Sequence, residues 1–531
     1  MKKYLLIAIT LVISGVGKAQ INIVWQKGYG TSQTDSFLKS IEVSDGYLHF
    51  GKSDANIEGD KTEMSYGGDD IWIVKTDFVG NILWDKTIGG SGSEGTGNVI
   101  RVGNIIYLLS SSNSIISGLK TSIAYGGSDY WLIALDLNAN ILWQQSYGGT
   151  GDDGASSIEE LNNAQLLICG TSKSNVSGNK TLPSYDAGGD FWPIIVDKNN
   201  GNLIRQNVVG TNATNVGKAI VVNDNSIFIL GQASVLANYD QSFPSYGGSD
   251  AWLINIDSNL NIVNDKCFGG SDAETISNLA FDGTNIYLLT SSQSNISGNK
   301  TSPQQGLIDP FSNPDLWLIK IDQNMNILWD KTYGGSDSEF AYDLKFINSK
   351  LIIGLLSFSG ISGNKTVLNF GTGADIWLLI LNNDGSVFDQ KAYGGSAFDQ
   401  IGKILVNTLG NILITSPSTI GISGNHLVPN YGLTDAWVFE LSTAFLSVVE
   451  NQSIVTEVFP NPFSETIQFN LTATNQQAVI EIYTMDGKLC KQERYAAGTQ
   501  SVSFQLPELG NLFIYKIVSG TNAATGKLVR R

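Results

Sequence analysis

Hydrophobic and polar positions along this chain alternate in short bursts with a period of two, and no helical period separates the bursts. Four strands are predicted in the first clear set: Phe37–Val43, Tyr47–Ser53, Asp70–Asp77 and Asn81–Ile88. Each carries β-branched or aromatic residues over part of its length. Tight turns rich in Asp, Asn and Gly join the first strand to the second and the third to the fourth. A longer Gly- and Ser-containing loop joins the second strand to the third.

The set then recurs. Asn22, Asn81, Asn140, Asn202, Asn261, Asn326 and Ser386 follow one another at intervals of 59 to 65 residues. A second marker keeps the same beat. Asp-x-Trp occurs at Asp70/Trp72, Asp129/Trp131, Asp190/Trp192, Asp250/Trp252, Asp315/Trp317, Asp375/Trp377 and Asp435/Trp437. The other four tryptophans (25, 84, 143 and 329) all stand in the Asn-Ile-Leu-Trp position or its variant. Sixty residues and four strands cannot bury both sheet faces alone, so the repeat predicts an all-β seven-bladed β-propeller of four-stranded blades over residues 20–442. The phase predicts how the ring closes. The first strand, Asn22–Tyr29, completes the last blade by pairing with Asp435–Leu441, which leaves no open edge.

Because Asp-x-Trp recurs in every copy, it reads as shared glue: a buried ring between blades and a carboxylate that accepts backbone N–H groups of the Tyr-Gly-Gly turn. The Ser-Gly-Asn-Lys-Thr segments (Ser177–Thr181, Ser297–Thr301, Ser362–Thr366) read as turns. A ligand site should instead break the symmetry. Departures concentrate in the loops between second and third strands, on the face opposite the tight hairpins. Tyr239, Asp240, Asp309 and Phe311 lie in the two most divergent of these loops and are the candidate ligand contacts.

The N-terminus has Lys2 and Lys3, an apolar run from Tyr4 to Val16, and small Gly17 and Ala19 before Gln20. That pattern predicts a signal peptide over residues 1–19, too short for a membrane span. No transmembrane segment is predicted after it. Loss of the three lysines of this segment moves the net charge from −17 to −20. So acidic a surface repels phosphate backbones, and no nucleic-acid partner is expected. Cys169, Cys267 and Cys490 lack metal-ligand or disulfide spacing. His49 and His426 are the only histidines, and no nucleophile elbow, phosphate loop or zinc-protease motif occurs. No catalytic residue, metal or cofactor is expected. A carboxylate pair assembled in space would still fit an extracellular polysaccharide-active hydrolase or lyase, the alternative to a binding or adhesion module for a glycan or protein.

The spacing Asp-x-Asn-x-Asn-Ile-Leu-Trp resembles the docking repeat of quinoprotein-like propellers, and the whole unit resembles secreted bacterial β-propeller repeats. After a linker over 443–454 the repeat stops, and residues 455–531 read as a small Ig-like β-sandwich. This segment resembles the type A C-terminal sorting domain of the type IX secretion system of Bacteroidota. The residues that carry the resemblance are Pro460, Asn461, Pro462, the Ile482–Gly487 segment, Leu506-Pro507 before Gly510, and the terminal Lys527-Leu528-Val529. The resemblance implies export across the outer membrane, the type IX translocon and its shuttle barrel as partners, and a cell-surface or extracellular location.

Overall fold

The computed structural model describes residues 21–443 apart from 224–225, 235–237, 307–312 and 420, and residues 455–530 apart from 460, 472–477, 485–488, 497, 507–511 and 520–521. The described residues are all β, with no helix. The chain divides into two units at residues 443/444.

Seven antiparallel sheets follow one another in the first unit. In the first, Asp35–Val43, Gly46–Ser53, Asp70–Thr76 and Ile82–Ile88 lie side by side in chain order. The next five repeat this order. The seventh is built from both ends of the unit: Ile23–Tyr29 pairs with Asp435–Leu441, from Ile23 opposite Leu441 to Tyr29 opposite Ala436. This is the pairing that the strand phase predicts. The first strands of successive sheets touch in a closed cycle: Asp35–Val43, Glu94–Val102, Asp153–Asn162, Asn215–Asn223, Glu274–Phe281, Glu339–Ile347, Ile404–Val406, and back to Asp35–Val43. The seven sheets therefore surround a common channel.

Two strands depart from the regular pattern. In the third sheet the strand that carries Asp-x-Trp is split into Asp190–Phe191 and Ile194–Asp197, because Pro193 has no N–H for the ladder. In the seventh sheet the first strand shortens to Ile404–Val406.

What binds sheet to sheet is the repeated motif. All seven Asp-x-Trp rings are fully buried. The seven aspartates are buried with them, and one oxygen of each accepts a backbone N–H from the turn before it, at 2.5 Å from Tyr66, 2.7 Å from Tyr125 and 2.5 Å from Tyr246, for example. The tyrosine that ends a sheet reaches into the next one. The hydroxyls of Tyr29, Tyr147 and Tyr333 donate to the carbonyls of Gly80, Gly201 and Gly385 in the outer hairpins of the following sheets.

The Ser-Gly-Asn-Lys segments and their relatives at residues 59–62 and 117–121 are turns, but their lysines point inward. Lys61, Lys120, Lys180, Lys300 and Lys365 are each 1% exposed. Four of them lie over the motif tryptophan of their own sheet, with Nζ 5.4–6.0 Å from the ring centre. His426 takes the place of lysine in the seventh sheet and lies 4.4 Å from the Trp437 ring. Its pKa is pushed down to about 4 by burial. His49 is buried too, bonded to Ser40 and Thr76, and burial lowers its pKa to about 3. Both histidines are neutral parts of the core at neutral pH.

The second unit has a three-stranded sheet (Val455–Phe459, Thr466–Leu471, Ser501–Gln505) and a four-stranded one (Leu489–Tyr495, Ala478–Thr484, Leu512–Ser519, Asn522–Val529). Ile467 and Phe469 from the first sheet and Ile480, Ile482, Phe513 and Leu528 from the second share one apolar core.

Candidate functional site

The channel is where the repeat stops being regular. Six first strands carry a register shift at the same point, between Phe37 and Lys39, Thr96 and Asn98, Ala155 and Ser157, Gly217 and Ala219, Ile276 and Asn278, and Ala341 and Asp343. Such a bulge inserts one residue and re-aims the side chains beside it. The residue just past the bulge is Lys39, Asn98, Ser157, Ala219, Asn278 or Asp343, and Lys403 stands at this point in the seventh copy. A shared structural role would give one residue type. This ring of positions holds five.

A cavity of about 310 Å³ opens here, lined by five of the seven first strands and by residues 400–403, just ahead of the seventh. Its walls include Lys39, Lys218 and Lys403 but no carboxylate. Asn98, Ser277, Tyr342 and Gln400 add neutral polar groups, and Leu38, Phe340 and Ile401 add apolar surface. Lys39 Nζ donates to Asn98 Oδ1 at 2.7 Å. Burial drives the Lys39 pKa down to about 8; repulsion from Lys345 and Lys403 adds to the fall, and the pull of Glu159 and Asp343 opposes it. Lys218 is more exposed, yet burial by the surrounding walls and then Lys403 lower its pKa as well.

Asp343 is the fixed anion beside the cavity. It is fully buried, with Lys345 Nζ at 3.5 Å and Lys403 Nζ at 3.3 Å. Asn278 Nδ2 donates to it at 2.5 Å and the Ile404 N–H at 2.8 Å. Burial raises its carboxyl, but Lys345, Lys403, the Ile404 N–H and Lys39 together hold it at about 2. Glu159 goes the other way: burial raises it against the pull of Lys39 and Lys345. Four lysines thus face two carboxylates at the centre of a chain whose net charge is −17.

Of the residues singled out from the loops, Asp240 stands where four other copies have the Asn of Ser-Gly-Asn-Lys and the first copy has Asp60. It accepts the Gly210 N–H at 3.1 Å, as Asn179 accepts that of Gly148 at 2.9 Å. Tyr239 stands where the other six copies have glycine. Those glycines have φ between 55° and 60°, and Tyr239 has φ 52°. A tyrosine is held there in a left-handed backbone that favours glycine. Its ring is 67% exposed and lies 4.9 Å from that of Tyr185. Asp309 and Phe311 lie outside the described residues.

In the second unit, Asn461 ties the start to the end. Its Nδ2 donates to the Lys527 carbonyl at 2.8 Å, and its Oδ1 accepts the Val529 N–H at 2.9 Å. Phe463 N–H donates to the Val529 carbonyl at 2.8 Å, and the Arg530 guanidinium lies over the rings of Phe463 and Phe513. Asn461, Phe463 and the last strand are one hydrogen-bonded structure. Pro460, Gly487 and Gly510 lie outside the described residues; Pro462 and Lys527 lie within them.

Residues 457–531 match the family model of the secretion system C-terminal sorting domain. That match supports a protein exported by the type IX secretion system across the outer membrane, to the cell surface or extracellular space. No helix among the described residues is long and apolar enough to cross a membrane. No curated protein matches the sequence. Among solved structures the chain is similar to hydrazine synthase of Kuenenia stuttgartiensis, at 8% identity and a TM-score of 0.42, over 72% of this chain and 94% of that one. It is similar to a prolyl endopeptidase at 10% identity and a TM-score of 0.40, over 92% of this chain and 55% of that one. A DUF4221 family member from Bacteroides vulgatus matches at 9% identity and a TM-score of 0.33, over 80% of this chain and 98% of that one.

The channel charges escaped the reading of the sequence, which looked to the loops. One signal for them exists: charged residues at the inward positions of first strands, which ordinary alternation would fill with one repeated type.

Proposed function

We propose that this is a type IX-exported extracellular protein, made as a precursor with a signal peptide, whose seven sheets are the blades of one seven-bladed β-propeller. An Ig-like sorting domain carries it to the translocon and its shuttle barrel. The propeller is a binding module for a glycan or protein ligand at the cell surface. The observation that carries the binding reading is Tyr239, an exposed tyrosine kept in a backbone conformation that six sister loops fill with glycine. Strain of this kind persists where the surroundings hold it, and it gathers at ligand sites. Tyr185 beside it supplies a second ring for stacking on a sugar or a side chain.

A screen of the full chain against glycans and surface proteins, with product analysis on every glycan bound, tests the proposal. Saturable binding without a new product supports it. Turnover of a bound polysaccharide replaces it with the hydrolase or lyase reading, and failure to bind any ligand overturns it.

A further inference from the structure

We infer that the channel cavity is a second binding site, for a hydroxylated organic anion of the sugar-acid class, with the ligand carboxylate held among Lys39, Lys218 and Lys403. It goes beyond the loop site and does not depend on it.

Charge is the first argument. Three lysines line one cavity with no carboxylate in its wall. Lys403 shares Asp343 with Lys345. Among the described residues, no carboxylate lies within ion-pair distance of Lys39 or Lys218, and the hydrogen bond that Lys39 makes is to a neutral amide. Like charges gathered between low-dielectric walls attract an anion strongly, and that preference is set against a surface of the opposite sign. Burial first, and then like-charge repulsion, lowers the pKa values of Lys39 and Lys218, and a bound anion offsets both.

The second argument is the rest of the wall. Gln400 and Ser277 offer amide and hydroxyl groups suited to ligand hydroxyls, and Phe340 offers an apolar face for a sugar ring. The volume, about 310 Å³, suits a small molecule and excludes a folded partner. The cations are lysines without an arginine fork, so they supply point charges rather than the planar bidentate grip of a phosphate site. No bond is made or broken on binding; the ligand exchanges its water for these groups.

The test is calorimetric titration of the full chain at low salt with D-glucuronate, D-glucose and sulfate. Glucuronate binds, and glucose and sulfate bind at least tenfold more weakly. Lys218→Gln weakens glucuronate at least tenfold with an unchanged melt, whereas Tyr239→Gly leaves glucuronate binding as it was. A measurement on the unaltered protein guards against a variant that fails to fold: glucuronate slows reductive methylation of Lys39 and Lys218, read by mass spectrometry, and leaves exposed Lys173 unaffected. Glucose binding as tightly as glucuronate, sulfate binding as tightly as glucuronate, or unprotected Lys39 and Lys218 each overturns the inference.

Discussion

Lys300 is buried with its ammonium 5.9 Å from the centre of the Trp317 ring, donating to the Ser302 carbonyl and the Thr332 hydroxyl. Burial lowers its pKa to about 8, against the pull of Asp315, Glu274 and Asp330. The fourth copy changes both sides of this arrangement: Gln241 replaces the lysine, and Asn215 replaces the acid that Glu274 represents here. The lysine and the acid are therefore expected to act as a unit. Lys300→Gln leaves buried carboxylates without their cation and costs about 3–5 kcal/mol. Adding Glu274→Gln restores part of that loss, with a coupling of about 0.5–3 kcal/mol in a double-mutant cycle from chemical denaturation. Strictly additive costs would mean that the two changes in the fourth copy are unrelated.

The joints between sheets carry a second buried element with a pH signature. A β-carbon at Gly334 would collide with Asp315 Oδ1 and stand 2.7 Å from Glu339 Oε2, so glycine is what lets the two carboxyls meet. All seven motif aspartates keep one buried oxygen without a donor. In the six joints that have a second carboxyl, a proton shared between the two accounts for that oxygen; the joint of Asp190 has Asn215 in that place. Burial raises Asp315 to about 8, with Glu339 adding to the rise and the Gln305 N–H and Lys300 opposing it. Burial also raises Glu339, against Ser359, Ser357, the Gly335 N–H and Asp315. Asp250 and Asp375 are raised to about 7, and Asp70 to about 6, by burial first. An acid raised on folding keeps its proton where the unfolded chain has lost it. Stability from these joints is full below about pH 4 and is lost as pH climbs through 6 to 8. The melting temperature should fall between pH 4 and pH 8, and Glu339→Gln should lessen the fall. A melting temperature that rises across this range would rule out shared protons.

Much of this was legible in the sequence, because one Asp-x-Trp per sixty residues states the architecture seven times. The turn of Ser-Gly-Asn-Lys was legible too, but not the burial of its lysine under Trp131 or Trp317, since a lysine in a polar loop looks solvated. The channel was hidden for another reason. Lys39, Lys218, Asp343 and Lys403 are far apart in sequence, and each looks like an ordinary polar residue in an alternating strand. Only closure of the ring, together with the bulge in six of the first strands, brings them together.

Closure itself is testable. Ile23–Tyr29 is held to Asp435–Leu441 along its whole length, and Trp25 donates to Glu440 at 2.8 Å. Deleting residues 20–30 removes one strand of the seventh sheet and exposes the edge of Asp435–Leu441. The melting temperature should drop sharply and the protein should self-associate by light scattering. An unchanged melt in a monomer would mean that the ring does not depend on this strand.

Tyr239→Gly separates stability from binding. The left-handed backbone costs a tyrosine about 1–2 kcal/mol that a glycine does not lose. Asp240 keeps its bond to Gly210, so the loop stays in place. The variant should melt higher than the parent and lose affinity for the ligand found by the screen. A variant that melts no higher would show that the site carries no strain, and one that binds as well would remove Tyr239 from the ligand site.

The last expectation concerns export, and it rests on Asn461. Its side chain clasps the last strand at both the Lys527 carbonyl and the Val529 N–H, while Phe463 and Arg530 close the same seam. Leu528 is buried in the shared core, so the final residues belong to the folded unit. Removing residues 527–531 takes away the partners of Asn461, the buried Leu528 and the ring contact of Arg530 in one step. Asn461→Ala removes two hydrogen bonds, worth about 1 kcal/mol each, and leaves the core intact. The truncated protein should accumulate in the periplasm of a type IX-competent cell, and Asn461→Ala should reach the surface at a reduced level, both read by fractionation and immunoblotting. An unrelated fluorescent domain fused ahead of residues 443–531, behind a signal peptide, should be carried outside. Normal surface levels of the truncated protein would show that the last strand has no part in sorting, whatever it contributes to the fold.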